Sequence, residues 1–148
     1  MYRMGRSTVD VRARSEAAPQ AVYALLVDGA SWPAWSGHDS FELVEPGQAG
    51  GESLGAVRIF RRGRVASRER LVELVPGRRL GYEVLSGLPL SGYRGDVDLE
   101  PVEGGGTEIH WHSTFTAKVP GTGWLYARLL RVFIGRAADG LARRAAAG

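Results

Sequence analysis

The chain has 148 residues, 44% of them hydrophobic and 24% charged, with a formal net charge of +3. That length suits one hydrophobic core and needs no second domain, so a single domain over 1–148 is expected. The absence of cysteine excludes disulfides, thiolate catalysis and cysteine-held metal centres.

No apolar run approaches the roughly 20 residues of a membrane span. Met1 to Arg6 also lacks the apolar stretch of a secretory signal, so a cytoplasmic protein is expected. The bases are nearly all arginine, with Lys118 the only lysine, and acids are interleaved with them. Only Arg58, Arg61, Arg62, Arg64, Arg68 and Arg70 cluster. That cluster is read either as a solvated hairpin or as a polyanion-binding face, and the overall balance favours no nucleic-acid partner.

In chain order, Thr8 to Arg14 alternates as a half-buried strand, with Val9, Val11 and Ala13 on one side. Pro19 suits the first turn of a short helix running to about Asp28. Trp32 and Trp35 follow on a short turn or helix, three apart and therefore able to project together. Phe41 to Glu45 is a candidate strand. Val57 to Phe60 and Val65 to Val75 flank a turn at Gly63, and Arg79 to Leu85 is the next strand. Gly87 to Gly92 connects it to Tyr93 to Glu100, and Gly104 to Gly106 turns into Thr107 to Thr116. Pro120 to Ala147 reads as one long amphipathic helix with Thr122 as a candidate N-cap. Its apolar arc is Tyr126, Leu129, Leu130, Phe133, Ile134, Ala137 and Leu141. On that reading Leu130→Asp or Phe133→Asp would bury an unpaired charge and unfold the protein. Consecutive hairpins before a single long helix predict an α+β architecture with an antiparallel sheet.

Four features together resemble the START-like, or SRPBCC, superfamily, and within it the bacterial polyketide cyclase/dehydrase-like group. They are Trp32-Pro33-x-Trp35, Leu80-x-Tyr82-x-Val84-x-x-Gly87, Gly106-Thr107-x-x-x-Trp111 and the terminal helix. The resemblance runs from about Ser7 to Ala146. It implies a helix-grip fold of the START/Bet v 1 kind, in which a curved seven-stranded antiparallel sheet wraps around the C-terminal helix. It also implies a deep, mostly apolar cavity between the two. The residue pattern agrees, because one helix cannot fill the concave side of so long a sheet.

Trp32, Trp35, Phe41, Tyr82, Tyr93, Trp111 and Phe115 are the aromatics expected around the cavity, as pocket lining or as core. Leu130 and Phe133 approach it from the helix. Leu88 and Leu90, apolar residues in a connection, form either a rim over the cavity or a cap on the core. Arg58 and Glu69 turn inward or outward according to a register that one residue would reverse. Turned inward, Glu69 is a candidate general base, with Tyr82 and Tyr93 sharing the proton handling, and Arg58 a candidate anion binder. His110-x-His112 share a strand face, but Ile109 and Trp111 claim the inward side and no third metal ligand is evident. No P-loop, H-E-x-x-H or G-x-S-x-G pattern is present. The reading invokes no cofactor and no metal. It expects a small hydrophobic molecule (a polyketide, aromatic metabolite or lipid) as partner and admits a homodimer. The protein is then either an enzyme of cyclisation or dehydration through enolisation, or a non-enzymatic carrier. A titratable group converging with a tyrosine on the cavity floor would favour the enzyme.

Overall fold

A computed structural model of the chain describes residues 5–148; Met1 to Met4, part of the stretch read for a secretory signal, lie outside the described residues. Seven antiparallel strands, β1 (Ser7–Ser15), β2 (Ser40–Glu45), β3 (Val57–Arg62), β4 (Val65–Val75), β5 (Arg79–Ser86), β6 (Leu90–Pro101) and β7 (Thr107–Ala117), form one sheet. Its order is β1-β7-β6-β5-β4-β3-β2, so every neighbouring pair is consecutive in the chain except β1 and β7. Helix α1 (Pro19–Val27), a 3₁₀ helix (Gly29–Ala34) and the long helix α2 (Gly123–Ala147) complete the helix-grip arrangement. Among the described residues no helix is long and apolar enough to cross a membrane.

The strands obey the alternation of their sequences. In β7, Thr107, Ile109, Trp111, Ser113, Phe115 and Ala117 are buried while the residues between them are partly exposed. Register irregularities in β4, beside Glu69 and Leu71, and in β6, between Ser91 and Arg94, bend the ladder. Such bulges are how a sheet acquires local curvature. Leu90 pairs with Ala117 inside β6, so it is a strand residue and not part of the connection.

Helix α2 begins at Gly123, later than expected, because Pro120 and Gly121 form a turn in which Gly121 has φ +82°. Thr122 occupies the N-cap position as expected, but its side chain makes no capping bond, because its hydroxyl donates to the Val119 carbonyl at 2.6 Å. The helix also buries its face unevenly. Ile134, Ala137, Ala138, Leu141, Ala142 and Ala145 are buried, and Ser15 Oγ donates to the Ala142 carbonyl at 2.8 Å, pinning this half to β1. Gly140 lets it close on the Trp35 carbonyl, where any Cβ would collide. Toward the N-terminus Tyr126, Leu130 and Phe133 are half-buried and Leu129 is exposed. The placement of Leu129 on a buried arc is therefore corrected, since that half of α2 spans an opening instead of lying on the sheet. The sensitive position moves with it. Leu141→Asp is expected to abolish the cooperative thermal transition, because it buries an unpaired charge at a fully buried site. Leu130→Asp is expected to retain the transition.

Candidate functional site

A cavity of about 900 Å³ lies between the concave face of the sheet and the N-terminal half of α2. One wall is aromatic. The 3₁₀ helix with its Pro33 aims Trp32 and Trp35 inward; their rings sit 4.7 Å apart, and Trp32 stacks on Phe60 at 4.4 Å. Both are anchored through their indole nitrogens, Trp32 donating to the Leu26 carbonyl (3.0 Å) and Trp35 to Ser31 Oγ (3.1 Å). Trp111 meets Trp32 edge-on at 5.8 Å. Opposite them stand Tyr126, Leu130, Phe133 and Ile134 of α2, and Leu88, Pro89 and Leu90 close one end.

The inner surface of the sheet carries the polar groups. Arg58 and Glu69 are cross-strand partners in the β3–β4 register, and both turn inward. Glu69 lines the cavity; its Oε2 accepts from Ser67 Oγ at 3.1 Å, while Oε1 is buried without a hydrogen-bond partner. Burial pushes its carboxyl up to about 7, against the opposing pull of the Arg58 guanidinium and the Ser67 hydroxyl. Tyr82 and Tyr93 lie beside each other with ring centroids 6.1 Å apart. The Trp111 indole N–H donates to the Tyr82 hydroxyl oxygen (3.1 Å), and the Tyr93 hydroxyl donates to Ser113 Oγ (2.9 Å). Burial raises both phenols, Tyr93 to about 12 and Tyr82 well above its usual value, so both remain protonated donors at neutral pH. Tyr82 fits because its cross-strand neighbour is Gly95; a Cβ there would run into the phenol ring.

Glu69, Tyr82 and Tyr93 thus share the cavity wall with Trp32, Trp35, Leu88, Leu90, Trp111, Leu130 and Phe133. Three other residues expected there do not line it. Phe41 packs over Gly29 and against Phe60, because the missing Cβ of Gly29 leaves room for its ring on the edge-strand side. Phe115 is fully buried and stacked on Tyr93 at 5.7 Å, so it backs the wall instead of forming it. Arg58 lies behind Trp32, its guanidinium carbon 5.2 Å from that ring centroid and 5.0 Å from Phe60's. There it donates to the Leu26 carbonyl (3.1 Å) and to Glu52 (3.0 Å). The arginine cluster does not form one basic face. Arg58 is buried, Arg61 and Arg68 pair with Glu42 and Glu45 on β2, and Arg62 reaches the cavity rim over the Phe133 ring.

Residues 6–146 match a family model described as "Polyketide cyclase / dehydrase and lipid transport". The chain belongs to that family. Similar in structure are a START superfamily protein from Mycobacterium smegmatis, at 11% identity and TM-score 0.77 over 93% of this chain and 98% of that one, and Ara h 8.0201, at 19% and 0.74 over 97% and 100%. The Aha1 dimer from Colwellia psychrerythraea is similar at 17% and 0.69, over 91% of this chain and 96% of its own. These likenesses show the fold. No curated protein matches the chain.

Within the family fold, several wall residues were not singled out from sequence. His38 is the most informative. Gly37, at φ +87°, turns the chain after Trp35, so that His38 reaches the cavity with Nδ1 2.8 Å from Ser36 Oγ. Burial, helped by the Arg62 charge, lowers it to about 4, leaving a neutral imidazole at physiological pH. The Trp-Ser-Gly-His succession was the available signal. Arg136 and Arg143 of α2, beside the apolar arc, join Arg62 and Asp139 in lining the cavity.

Proposed function

We propose that the protein is an acid–base enzyme acting on a small, flat, hydrophobic carbonyl compound, of the polyketide or aromatic type, by enolisation leading to cyclisation or dehydration. The observation that carries this reading is Glu69, a carboxyl with one unpartnered buried oxygen, raised to about 7 and sharing a cavity wall with two protonated tyrosines. A base poised near the working pH abstracts a proton α to a carbonyl most effectively. The Tyr82 hydroxyl accepts from Trp111 and keeps its own proton, which suits donation to the enolate oxygen as negative charge develops there. The aromatic wall of Trp32, stacked on Phe60, with Trp35 beside it matches a flat ring system, and the excess of arginine over aspartate at the rim suits a ligand with an acidic or phenolic end. The cavity volume falls in the range of small-molecule sites.

The test uses 2-tetralone in D₂O, following α-carbon deuteration by NMR, with 1-anilinonaphthalene-8-sulfonate fluorescence as an independent report of cavity binding. Exchange faster than in buffer, reduced ~10²-fold or more in Glu69→Gln with fluorophore binding retained, is the expected result. Fluorophore binding without catalysed exchange in the wild type would instead identify a carrier, the second reading the family description allows.

The Leu88 and Leu90 segment supports an entrance. Leu88 is half-buried, Leu90 is buried, and both line the cavity beside Pro89. Leu88→Ser with Leu90→Ser is expected to speed fluorophore dissociation several-fold in stopped-flow. A stability loss of several kcal/mol with unchanged dissociation would make the segment core.

A further inference from the structure

We propose that the outer face of the sheet carries a binding site for Zn²⁺, held by His110 and His112 of β7 and Asp98 of β6. This site lies on the opposite side of the sheet from the cavity and is independent of the function proposed for it.

The placement follows from register. Ile109, Trp111 and Ser113 face the core, so His110 and His112 share the outer face, and their rings stack with centroids 4.5 Å apart. The β6–β7 pairing is regular from Arg94 to Pro101, which sets Asp98 directly opposite His110 and one diagonal from His112. One ligand atom from each of the three side chains lies within 4.8 Å of the others. Tetrahedral zinc with bonds of about 2.0–2.2 Å spaces its ligands roughly 3.4 Å apart, so only a closure on the order of 1 Å is needed. Partly exposed side chains can supply that by small torsions.

The ion would replace hydrogen bonds that the imidazole nitrogens now share with carboxylates. Asp98 divides its oxygens: Oδ1 accepts from Arg79 Nε at 2.6 Å, and Oδ2 lies 2.7 Å from His112 Nε2. Arg79 thus orients the carboxylate while leaving one oxygen for the ion, the role outer partners play at metal sites. Asp10 of β1 places both oxygens 2.9 Å from His110 Nε2, adding a second carboxylate beside the site. Apart from Arg79, the cations close by are matched to other acids: Arg94 pairs with Glu73 (2.7 Å) and Asp96 (3.0 Å), and Arg12 with Glu108 (2.7 Å). Two imidazoles and one or two carboxylates form a donor set suited to zinc, with the remaining position open to water. Bound there, the ion would clasp β7 to β6, the second and third strands of the sheet.

The experiment is calorimetric titration of tag-free, chelator-stripped protein with Zn²⁺, together with thermal melts with and without the ion. The chain has three histidines, and the third, His38, lies at the cavity, so background binding is limited. One Zn²⁺ per chain with micromolar or tighter affinity is expected, with a melting temperature raised by the ion and restored by chelator. His110→Gln and His112→Gln are each expected to weaken binding at least 30-fold while leaving fluorophore binding in the cavity unchanged. Both single variants are made, so loss of folding in one leaves the other to decide. Absence of binding below millimolar Zn²⁺, or wild-type affinity in a folded variant, would overturn the proposal.

Discussion

Glu69→Gln is expected to be more stable than the wild type above pH 7, to match it near pH 4.5, and to lose catalysed α-proton exchange. The sign follows from proton counts. The carboxyl titrates at about 4.5 in the unfolded chain and about 7 in the folded one, so between these values the folded state holds a proton that the unfolded state has lost. Stability then falls by about 1.4 kcal/mol per pH unit as pH rises, and the accumulated cost of about 3 kcal/mol persists above pH 7. Glutamine has no proton to lose and escapes this cost, although its amide beside Arg58 brings an added donor where an acceptor stood. His38 works in the opposite sense. Its imidazole is lowered from 6.5 to about 4, so between those values the unfolded state holds the extra proton and stability rises with pH. The two slopes oppose each other between pH 4.5 and 6.5, and the wild type should be nearly flat there with respect to these two groups. Removing Glu69 unmasks the rise due to His38; His38→Gln unmasks the fall due to Glu69. Urea denaturation across pH 4 to 8 checks both variants. A constant difference between Glu69→Gln and wild type over that range would mean that the carboxyl titrates normally, removing the basis for assigning it as the base.

The fold was legible because periodicity and punctuation survive in this sequence. Thr107 to Ala117 alternates without interruption, and Gly63, Gly77 and Gly104, all at positive φ, sit at the hairpin turns where a side chain would be strained. The inward direction of Arg58 and Glu69 was not legible. A strand carrying Arg-Glu-Arg reads as solvated, and its face is settled by pairing with β3 and by the irregularity beside Glu69, which local sequence does not encode. The aromatics divided for a similar reason. Trp32 and Trp35 are placed by their own short element, whereas Phe41 depends on the space above Gly29 and Phe115 on the ring of Tyr93. Helix α2 shows the remaining difficulty. Its apolar arc is continuous in sequence, but a face over a cavity and a face against a sheet have the same periodicity. Only the run of small residues Ala137, Ala138, Gly140 and Ala142 marked the half that packs closely.

Arg58→Ala is expected to cost about 3 kcal/mol, the lower end of the range for removing one partner of a buried ion pair, since Glu52 keeps partial access to water. The guanidinium is fully buried and joins three parts of the chain: its own strand, the end of α1 through the Leu26 carbonyl, and the segment before β3 through Glu52. Glu52 also accepts from the Gly29 N–H at 2.8 Å, so the same carboxylate fixes the start of the 3₁₀ helix carrying Trp32. Lysine is expected to recover little, since an ammonium cannot reproduce the planar contact of the guanidinium with the Trp32 and Phe60 rings. In Arg58→Met with Glu52→Gln, neither charge remains, and the double variant should regain much of the loss. A second readout separates this role from simple bracing. Arg58 is the main charge opposing the rise of the Glu69 carboxyl, so its removal should push that group further up and shift the ascending limb of the pH–rate profile for 2-tetralone exchange above 7. Thermal melts and pH–rate profiles of the folded fraction measure the two effects separately. A loss below 1 kcal/mol with an unmoved limb would show that Arg58 neither braces the tryptophan segment nor tunes the base.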